Sequence, residues 1–271
     1  MKLKIVILSV SIITSLSAQN PSFKELTDKM VLPEYYTRLE KLLEGKVIHQ
    51  TIHYSDCAIE NSPSTVAYVK EKMQKSQVLE SDAQNMEIAI AAALEKDKQI
   101  NDNGIFAEFG VGAGKSANFI AQRIGNKILY GFDWYKGLPE DWRAPNFVKG
   151  TFAIKQDVSI PPFPLEKNIE LVIGRFKETL PIFATSKNAP FLFIHIDCDL
   201  YSSTKEIFDN IKNHVIPGTI IVFDEYFNYD GWQEHEFKAF QEFIKENGFT
   251  YEYLCYNKLH QQVTVKITSI K

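Results

Sequence analysis

The stretch GIFAEFGVGAGKSANFIAQRIGNKILYGFD, residues 104–133, predicts a strand, a glycine-rich turn, a helix and a second strand. Its apolar start suits a buried parallel strand. The turn contains Gly110, Gly112 and Gly114, which let the backbone bend sharply beneath a ligand. The second strand brings Asp133 to its carboxyl end, where open α/β sheets bind their ligands. The stretch therefore predicts a nucleotide-cradling unit.

The spacing of the glycines decides among the nucleotide-binding motifs. A Walker A loop would need a glycine at position 109, which is Phe109. A dinucleotide fingerprint reads G-x-G-x-x-G, whereas the turn here reads G-x-G-x-G and is preceded by Glu108. A carboxylate at that point suits a cationic ligand better than a pyrophosphate.

The segment from Glu108 to Gly114 resembles the first motif of class I methyltransferases. Their ligand, S-adenosylmethionine, carries a sulfonium and an ammonium group but no phosphate. The resemblance implies that Glu108, Gly110, Gly112 and Gly114 bind this cofactor, and that Asp133 holds its ribose hydroxyls. An ordinary tight turn between a strand and a helix is the alternative.

Length and composition restrict the class of protein. A chain of 271 residues with 45% hydrophobic residues is globular and long enough for one α/β domain with an appendage. The formal charge of −4 and the scattered lysines argue against a nucleic-acid partner. Cys57, Cys198 and Cys255 lack C-x-x-C spacing, so we predict buried thiols rather than disulfides or a zinc site.

The first eighteen residues have the layout of a secretory signal peptide or membrane anchor. Lys2 and Lys4 precede an apolar run over residues 5–16, and the small residues Ser17 and Ala18 follow. The run is too short to span a membrane comfortably. The alternative is an N-terminal strand or helix of a cytoplasmic protein. Use of a cofactor that is made and kept inside cells favours this alternative. Localisation is therefore undecided between these two.

The segment from residue 19 to residue 100 is predicted to form a helical N-terminal cap. Helical spacing occurs over residues 33–43, after Ser62-Pro63 and after Ser81-Asp82. The polar stretch over residues 96–103 predicts a boundary, after which residues 101–271 form the catalytic domain.

The second half of the chain repeats the strand–helix plan. Ser202-Ser203-Thr204 are predicted helix caps, and Pro217-Gly218 is a predicted helix stop. A late helix ends at Gly248. The strands are predicted over residues 169–173, 191–196, 219–223, 251–256 and 262–268. The predicted fold is α/β: a Rossmann-like class I methyltransferase sheet, mostly parallel, with one antiparallel strand near the C-terminus.

Acidic residues follow two of these strands. Asp197 and Asp199 come after one strand, and Asp224 and Glu225 come after the next. If the strands are neighbours, a spacing of about 4.8 Å brings these carboxylates close enough to share an ion. Crowded carboxylates repel unless they are protonated or neutralised, and oxygen ligands favour Mg²⁺. The alternative is that individual carboxylates only cap the following helices.

His195 lies inside an apolar strand, at the same parity as Phe191 and Phe193. Histidine at such a position is usually a packed core residue. We therefore predict that it packs beneath a helix and takes no part in catalysis.

Several further segments resemble the macrocin O-methyltransferase family, class I enzymes that methylate sugar hydroxyls with S-adenosylmethionine and Mg²⁺. The resemblance covers about residues 104–248. Its most specific pieces are Gly131-Phe-Asp133 with Gly137-Leu-Pro139, Gly174-Arg-Phe-Lys-Glu-Thr-Leu-Pro181, Asp197-Cys-Asp199-Leu-Tyr-Ser-Ser-Thr204 and Pro217-Gly218 leading into Asp224-Glu225-Tyr226.

The resemblance implies roles for the acidic residues. Asp197, Asp224 and Glu225 fall on the metal ligands, and Asp199 falls on the proposed base. Glu225 is the least secure of the three ligands, because the family usually has aspartate there. The implied reaction is direct displacement, in which Asp199 takes the proton of an acceptor hydroxyl as the oxygen attacks the methyl group.

Two other classes of function are compatible with the sequence. One is a Rossmann oxidoreductase that binds NAD(P), and the other is a degenerate, non-enzymatic member that binds carbohydrate. The predicted partner is a small-molecule hydroxyl acceptor, with a sugar as one candidate. A homo-oligomer is compatible with the sequence, which leaves the oligomeric state open.

Overall fold

The computed structural model describes residues 59, 62–143, 146–154 and 164–270. Its strands lie in one eight-stranded sheet. They are β1 (Gln77–Leu79), β2 (Ile105–Phe109), β3 (Leu129–Asp133), β4 (Ile169–Ile173), β5 (Phe191–Ile196), β6 (Val215–Phe223), β7 (Phe249–Asn257) and β8 (Val263–Ile270). The α-helices are α1 (Pro63–Lys72), α2 (Asp82–Gln99), α3 (Lys115–Ala121), α4 (Phe176–Lys187), α5 (Tyr201–Ile211) and α6 (Glu236–Asn247).

The strand order across the sheet is β1-β7-β8-β6-β5-β2-β3-β4. Strand β8 is antiparallel to both of its neighbours, and the other pairings are parallel. The prediction of one antiparallel strand near the C-terminus is therefore confirmed. The prediction that β5 and β6 are neighbours is also confirmed.

The centre of the sheet is buried on both faces. Every residue of β2 and of β5 is buried, as expected for apolar strands covered by helices. On one face, Phe223 of β6 packs against Phe208 of α5 and Phe240 of α6, with ring centroids 6.3 and 5.0 Å apart. On the other face, α2 packs against β5 and β6. Burial of each phenylalanine contributes roughly 1.5–3 kcal/mol.

The described part of the predicted N-terminal cap is continuous with the sheet. Strand β1 pairs in parallel with β7, which places Gln77 opposite Cys255. Helix α2 presents Ala89, Ile90 and Ala93 to the core, and the two alanines allow close approach. The described residues of 59–136 and 164–270 accordingly belong to one compact unit, without a boundary near residue 100. The predicted helix over residues 33–43 and the signal-like segment lie outside the described residues.

Two predicted helix boundaries were wrong. Helix α5 begins at Tyr201 with Leu200 as its N-cap residue, so Ser202-Ser203-Thr204 lie inside its first turn. Pro217 and Gly218 lie within β6. They occupy an irregularity where the register with β5 shifts and Gly218 has φ +102°, a place where a strand tolerates proline.

The remaining helix predictions within the described residues are confirmed. Helix α1 begins directly after its N-cap Ser62, and α2 begins after Ser81, whose hydroxyl accepts the N–H of Gln84. Helix α6 ends at Gly248, which has φ +69°. Among the described helices, none is long and apolar enough to cross a bilayer.

Residues 137–143 and 146–154 belong to a second compact unit. Within this segment, Leu138 and Thr151 are joined by an N–H···O bond of 2.8 Å. Trp142 and Phe147 form an isolated antiparallel bridge with ring centroids 4.9 Å apart. The aromatic residues thus hold this loop together internally.

Candidate active site

The functional candidates meet at the carboxyl edge of the central strands. The parallel ladder continues past the strand ends, because the N–H groups of Gly110, Asp197 and Asp224 each donate to a carbonyl of the neighbouring strand at 2.9 Å. The register places Ile196 opposite Phe223. The acidic residues that follow these two strands are therefore held side by side.

The glycine turn borders this edge. Gly110 has φ +97°, and a Cβ there would lie 1.7 Å from the carbonyl oxygen of Asp197, so close backbone contact requires glycine. Gly112 has φ +51°, and a Cβ there would meet nothing within 4 Å. Gly114 is the N-cap residue of α3. Of these three glycines, Gly112 is the one that borders open space.

Asp133 ties the end of β3 to the glycine turn. Its Oδ2 accepts the N–H of Gly112 at 2.8 Å, and its Oδ1 accepts the N–H of Tyr135 at 2.7 Å. Burial raises the pKa of the Asp133 carboxyl, and the hydrogen bonds from backbone N–H groups oppose that rise. Each oxygen still has a lone pair for a further donor. The open space above Gly112 and these acceptors fit a ligand with hydroxyl groups.

Glu108 lies inside the sheet and pairs with a histidine. The register of β2 and β5 places it opposite His195, and its Oε1 lies 2.9 Å from His195 Nδ1. The side chain is fully buried, and Oε2 has no hydrogen-bond partner in the part of the chain that the structure describes. The sequence predicted that Glu108 acts toward the cofactor, whereas its observed contact is with His195.

Three side chains converge at the ends of β5 and β6. His195, Asp197 and Asp224 each offer one donor atom, and these atoms lie within 4.8 Å of one another. The Nε2 of His195 is 3.7 Å from Asp224 Oδ1, which also accepts a hydrogen bond of 2.6 Å from Gln262 Nε2. Of the three metal ligands suggested by the sequence, Asp197 and Asp224 are in this group and Glu225 is not. One nitrogen and two carboxylate oxygens fit a divalent cation.

Electrostatic coupling in this group is strong. Burial, followed by the charge of Asp224, raises the pKa of Asp197 well above its usual range. Burial also raises the pKa of Asp224, but His195 outweighs it and holds that pKa below its usual range. Burial lowers the pKa of His195, but Asp224 and Glu108 outweigh burial and raise it. Without a cation, the histidine charge thus compensates part of the carboxylate charge.

The half-buried Glu225 lies beside the fully buried carboxylate of Glu236 on α6. Glu236 Oε2 accepts the N–H of Glu225 at 3.2 Å. Burial, followed by the charges of Asp224 and Asp199, raises the pKa of Glu225. Burial, followed by the charge of Asp199, also raises the pKa of Glu236. The loop that carries Glu225 is therefore anchored to α6.

Asp199 occupies a left-handed backbone conformation with φ +65° and is 8% exposed. Aspartate tolerates this conformation better than most residues, and such positions often mark functional sites. Asp199 directly precedes Leu200, the N-cap residue of α5, so it lies one residue outside the capping position. The helix that follows Asp224 has Gly231 as its N-cap residue, so capping does not account for Asp224.

Sequence reasoning missed the contacts of His195, Glu236 and Gln262. For His195 a signal was present, because residues two positions apart share one face of a strand and His195 precedes Asp197 by two. The prediction that His195 packs beneath a helix did not include its two carboxylate neighbours, Glu108 and Asp224. For Glu236 and Gln262 the chain offered no local signal.

Residues 107–226 match a family described as "Methyltransferase domain", and the prediction of a methyltransferase domain is confirmed for that segment. Among solved structures, CalS11, a calicheamicin methyltransferase, is similar with a TM-score of 0.55 and 19% identity, over 88% of this chain and 93% of that chain. This likeness confirms the predicted fold class. No curated protein matches the chain significantly.

Two further solved structures are more distant. The O-methyltransferase NovP has a TM-score of 0.49 and 19% identity, over 67% of this chain and 79% of that chain. An O-methyltransferase from Bacillus cereus in complex with SAH has a TM-score of 0.44 and 14% identity, over 87% of this chain and 99% of that chain.

Proposed function

We propose that the protein is an S-adenosylmethionine-dependent O-methyltransferase that acts on a hydroxyl of a sugar or similar small molecule, assisted by a divalent cation. One observation carries the proposal: the glycine turn with Asp133 and the paired carboxylates Asp197 and Asp224 occupy the same edge of a class I methyltransferase sheet. A cofactor site and an acidic site side by side support transfer from one to the other.

The proposed cofactor residues are Glu108, Gly110, Gly112, Gly114 and Asp133. Gly112 supplies the open space, and the carboxylate of Asp133 would accept hydrogen bonds from ribose hydroxyls. Gly110 contributes by letting the turn lie against the loop after β5. The side chain of Glu108 is bound to His195 inside the sheet. Glu108 would therefore act on a cationic ligand through negative potential rather than through direct contact.

Asp197 and Asp224 are the proposed metal ligands, with Glu225 as the third ligand suggested by the family resemblance. An all-oxygen set of this kind favours Mg²⁺. When bound, such a cation supplies Lewis-acid chemistry that lowers the pKa of a nearby hydroxyl. The half-buried, mutually repelling carboxylates support a bound cation, since a cation would relieve their repulsion.

Asp199 is the proposed general base. It lies on the same short loop as Asp197, in a left-handed backbone conformation. In the proposed reaction, its carboxylate accepts the hydroxyl proton of the acceptor while the C–O bond forms and the methyl–sulfur bond breaks. General bases typically contribute about 10²–10⁴-fold to the rate.

The choice of a sugar-type acceptor follows from the resemblance to the macrocin O-methyltransferase family. CalS11, whose fold this chain shares, is described as a calicheamicin methyltransferase. At 19% identity that likeness supports the fold alone.

Calorimetric titration of the protein with S-adenosylmethionine, S-adenosylhomocysteine and NAD tests the cofactor assignment. We expect binding of the first two and no binding of NAD. Radiolabelled methyl transfer to a panel of glycosides and phenols, with and without chelator, then tests the reaction. Binding of NAD alone would favour the oxidoreductase alternative. Binding of carbohydrate without S-adenosylmethionine would favour the non-enzymatic alternative.

A further inference from the structure

We infer that His195 is the third donor of the cation site, in place of Glu225, and that the site prefers a cation of intermediate softness such as Mn²⁺, Fe²⁺ or Co²⁺ over Mg²⁺. The inference rests on the proposed function, because it concerns the cation assigned there to Asp197 and Asp224. It makes the site a mixed nitrogen–oxygen centre.

The orientation of the imidazole is the first support. His195 is 1% exposed, and its Nδ1 is bound to Glu108 Oε1 at 2.9 Å. When Nδ1 carries the proton in that bond, the lone pair lies on Nε2. This atom is buried and has no hydrogen-bond partner among the described residues. A histidine held by a carboxylate on one nitrogen, with the other nitrogen available, is the usual arrangement of a metal-ligating histidine.

The position of the carboxylates is the second support. One oxygen each of Asp197 and Asp224 lies within 4.8 Å of the histidine donor atom and of the other oxygen. Donors that share one ion at about 2.2 Å lie at most about 4.4 Å apart, so the group needs to contract by only a few tenths of an ångström. Gln262 holds Asp224 in place through a hydrogen bond of 2.6 Å.

Glu225 has a different set of neighbours. It lies outside the converging group, and its backbone N–H is bound to Glu236. Three protein donors, His195, Asp197 and Asp224, leave coordination positions open for an acceptor oxygen. Imidazole suits manganese, iron, cobalt and zinc, whereas Mg²⁺ prefers oxygen ligands in an octahedral arrangement. The nitrogen donor therefore shifts the preference away from Mg²⁺.

Electron spin-echo spectroscopy of the protein loaded with Mn²⁺ tests the inference directly, because imidazole coordination produces a ¹⁴N modulation. We expect this modulation in the wild type and its loss in His195→Asn. Competition titrations should show Mn²⁺ binding at least about 10-fold tighter than Mg²⁺, with that preference lost in His195→Asn. The matched control is His214→Asn, since His214 lies at the opposite end of the sheet with its Nδ1 3.2 Å from the carbonyl of Ala189. It should keep both the modulation and the preference.

The wild-type spectrum alone can overturn the inference, so the test does not depend on the folding of a variant. Bound Mn²⁺ without ¹⁴N modulation would show that His195 does not bind the ion. The ligands would then be oxygen atoms only. Modulation that persists in His195→Asn would assign the nitrogen to another histidine. Calorimetry with S-adenosylmethionine on the same sample separates the two hypotheses: cofactor binding with either result means that only the inference fails, whereas absence of cofactor binding contradicts the proposed function.

Discussion

Glu236 accepts the backbone N–H of Glu225 through Oε2 at 3.2 Å, and the backbone N–H of Cys198 also donates to this carboxylate. Glu225 follows β6, and Cys198 lies between the two aspartates that follow β5. One buried side chain on the first turn of α6 therefore connects both acidic loops. We therefore expect Glu236 to help fix the separation of Asp197 from Asp224.

Replacement of Glu236 by alanine should loosen both loops. Two buried N–H groups would lose their acceptor, which should lower the free energy of unfolding by roughly 2–4 kcal/mol and weaken cation binding. Glu236→Gln keeps an acceptor oxygen and should retain most of the cation affinity. Urea unfolding and Mn²⁺ titration measure the two effects.

The control on the same helix is Glu246→Ala. Glu246 is an exposed residue whose carboxylate lies 3.3 Å from Lys205 Nζ. Loss of an exposed pair should change stability by less than about 1 kcal/mol and leave cation binding unchanged. An alanine variant of Glu236 with wild-type cation affinity would show that the connection does not position the ligands.

Gly112→Ala should weaken S-adenosylmethionine binding by at least about 10-fold, because the added methyl group enters the space assigned to the ligand. Gly125→Ala is the matched control. Both glycines have positive φ, +51° and +66°, and a Cβ at either one meets nothing within 4 Å. Each substitution should therefore cost a similar 1–2 kcal/mol or so of backbone strain. Calorimetry and thermal unfolding together separate the two effects, and equal cofactor affinity in both variants would contradict the assignment of the turn.

The elements around the candidate site that were predicted correctly depend on local sequence. The glycine turn, the strands β2 and β5 and the acidic residues after β5 and β6 each carry their signal within a few residues. The pair of Glu108 and His195 does not, since 87 residues separate them and they meet only because β2 lies beside β5. Strand alternation placed His195 on the same face as Asp197, but strand order decides which side chains it meets.

The N-terminal region shows the same limit. Strand β1 has three residues and pairs with β7 at the far end of the chain, so nothing near Gln77 in the sequence indicates its partner. The helical spacing of α2 was recognisable, but the strands that it covers were not. The sequence predicted a separate cap because the strands against which α2 mainly packs, β5 and β6, lie far along the chain.

The stability of the fold should depend on pH through His260. Its Nδ1 lies 3.1 Å from Asp82 Oδ2. Burial lowers the pKa of His260, and Lys115 also lowers it, but Asp82 and Asp224 outweigh both and raise it. A histidine with a raised folded-state pKa adds stability that is fully present below its unfolded pKa of about 6.5 and is lost as pH rises through the folded pKa.

Asp82→Asn should therefore destabilise the metal-free protein more at about pH 6 than at about pH 9, by up to about 1 kcal/mol for a partly exposed pair. The asparagine oxygen can still accept the hydrogen bond from Asn257 Nδ2. Urea unfolding at both pH values measures the difference. Glu80→Gln is the control, because Glu80 pairs with Lys258 at 2.6 Å and lysine keeps its charge over this range. A pH-independent effect of Asp82→Asn would exclude the ion pair.

Asp199 and Asp224 should fail differently when each is replaced by asparagine. Asp224 lies among the converging donors, so Asp224→Asn should weaken cation binding along with most of the activity, since a neutral amide is a poorer ligand than a carboxylate. Asp199→Asn should keep cation and cofactor affinity while lowering turnover by about 10²–10⁴-fold, the usual range for a lost general base. Cation titration, calorimetry and single-turnover methyl transfer distinguish the two patterns. Full turnover by Asp199→Asn would show that its carboxylate is not the base, and chelator-resistant transfer by the wild type would remove the cation from the reaction.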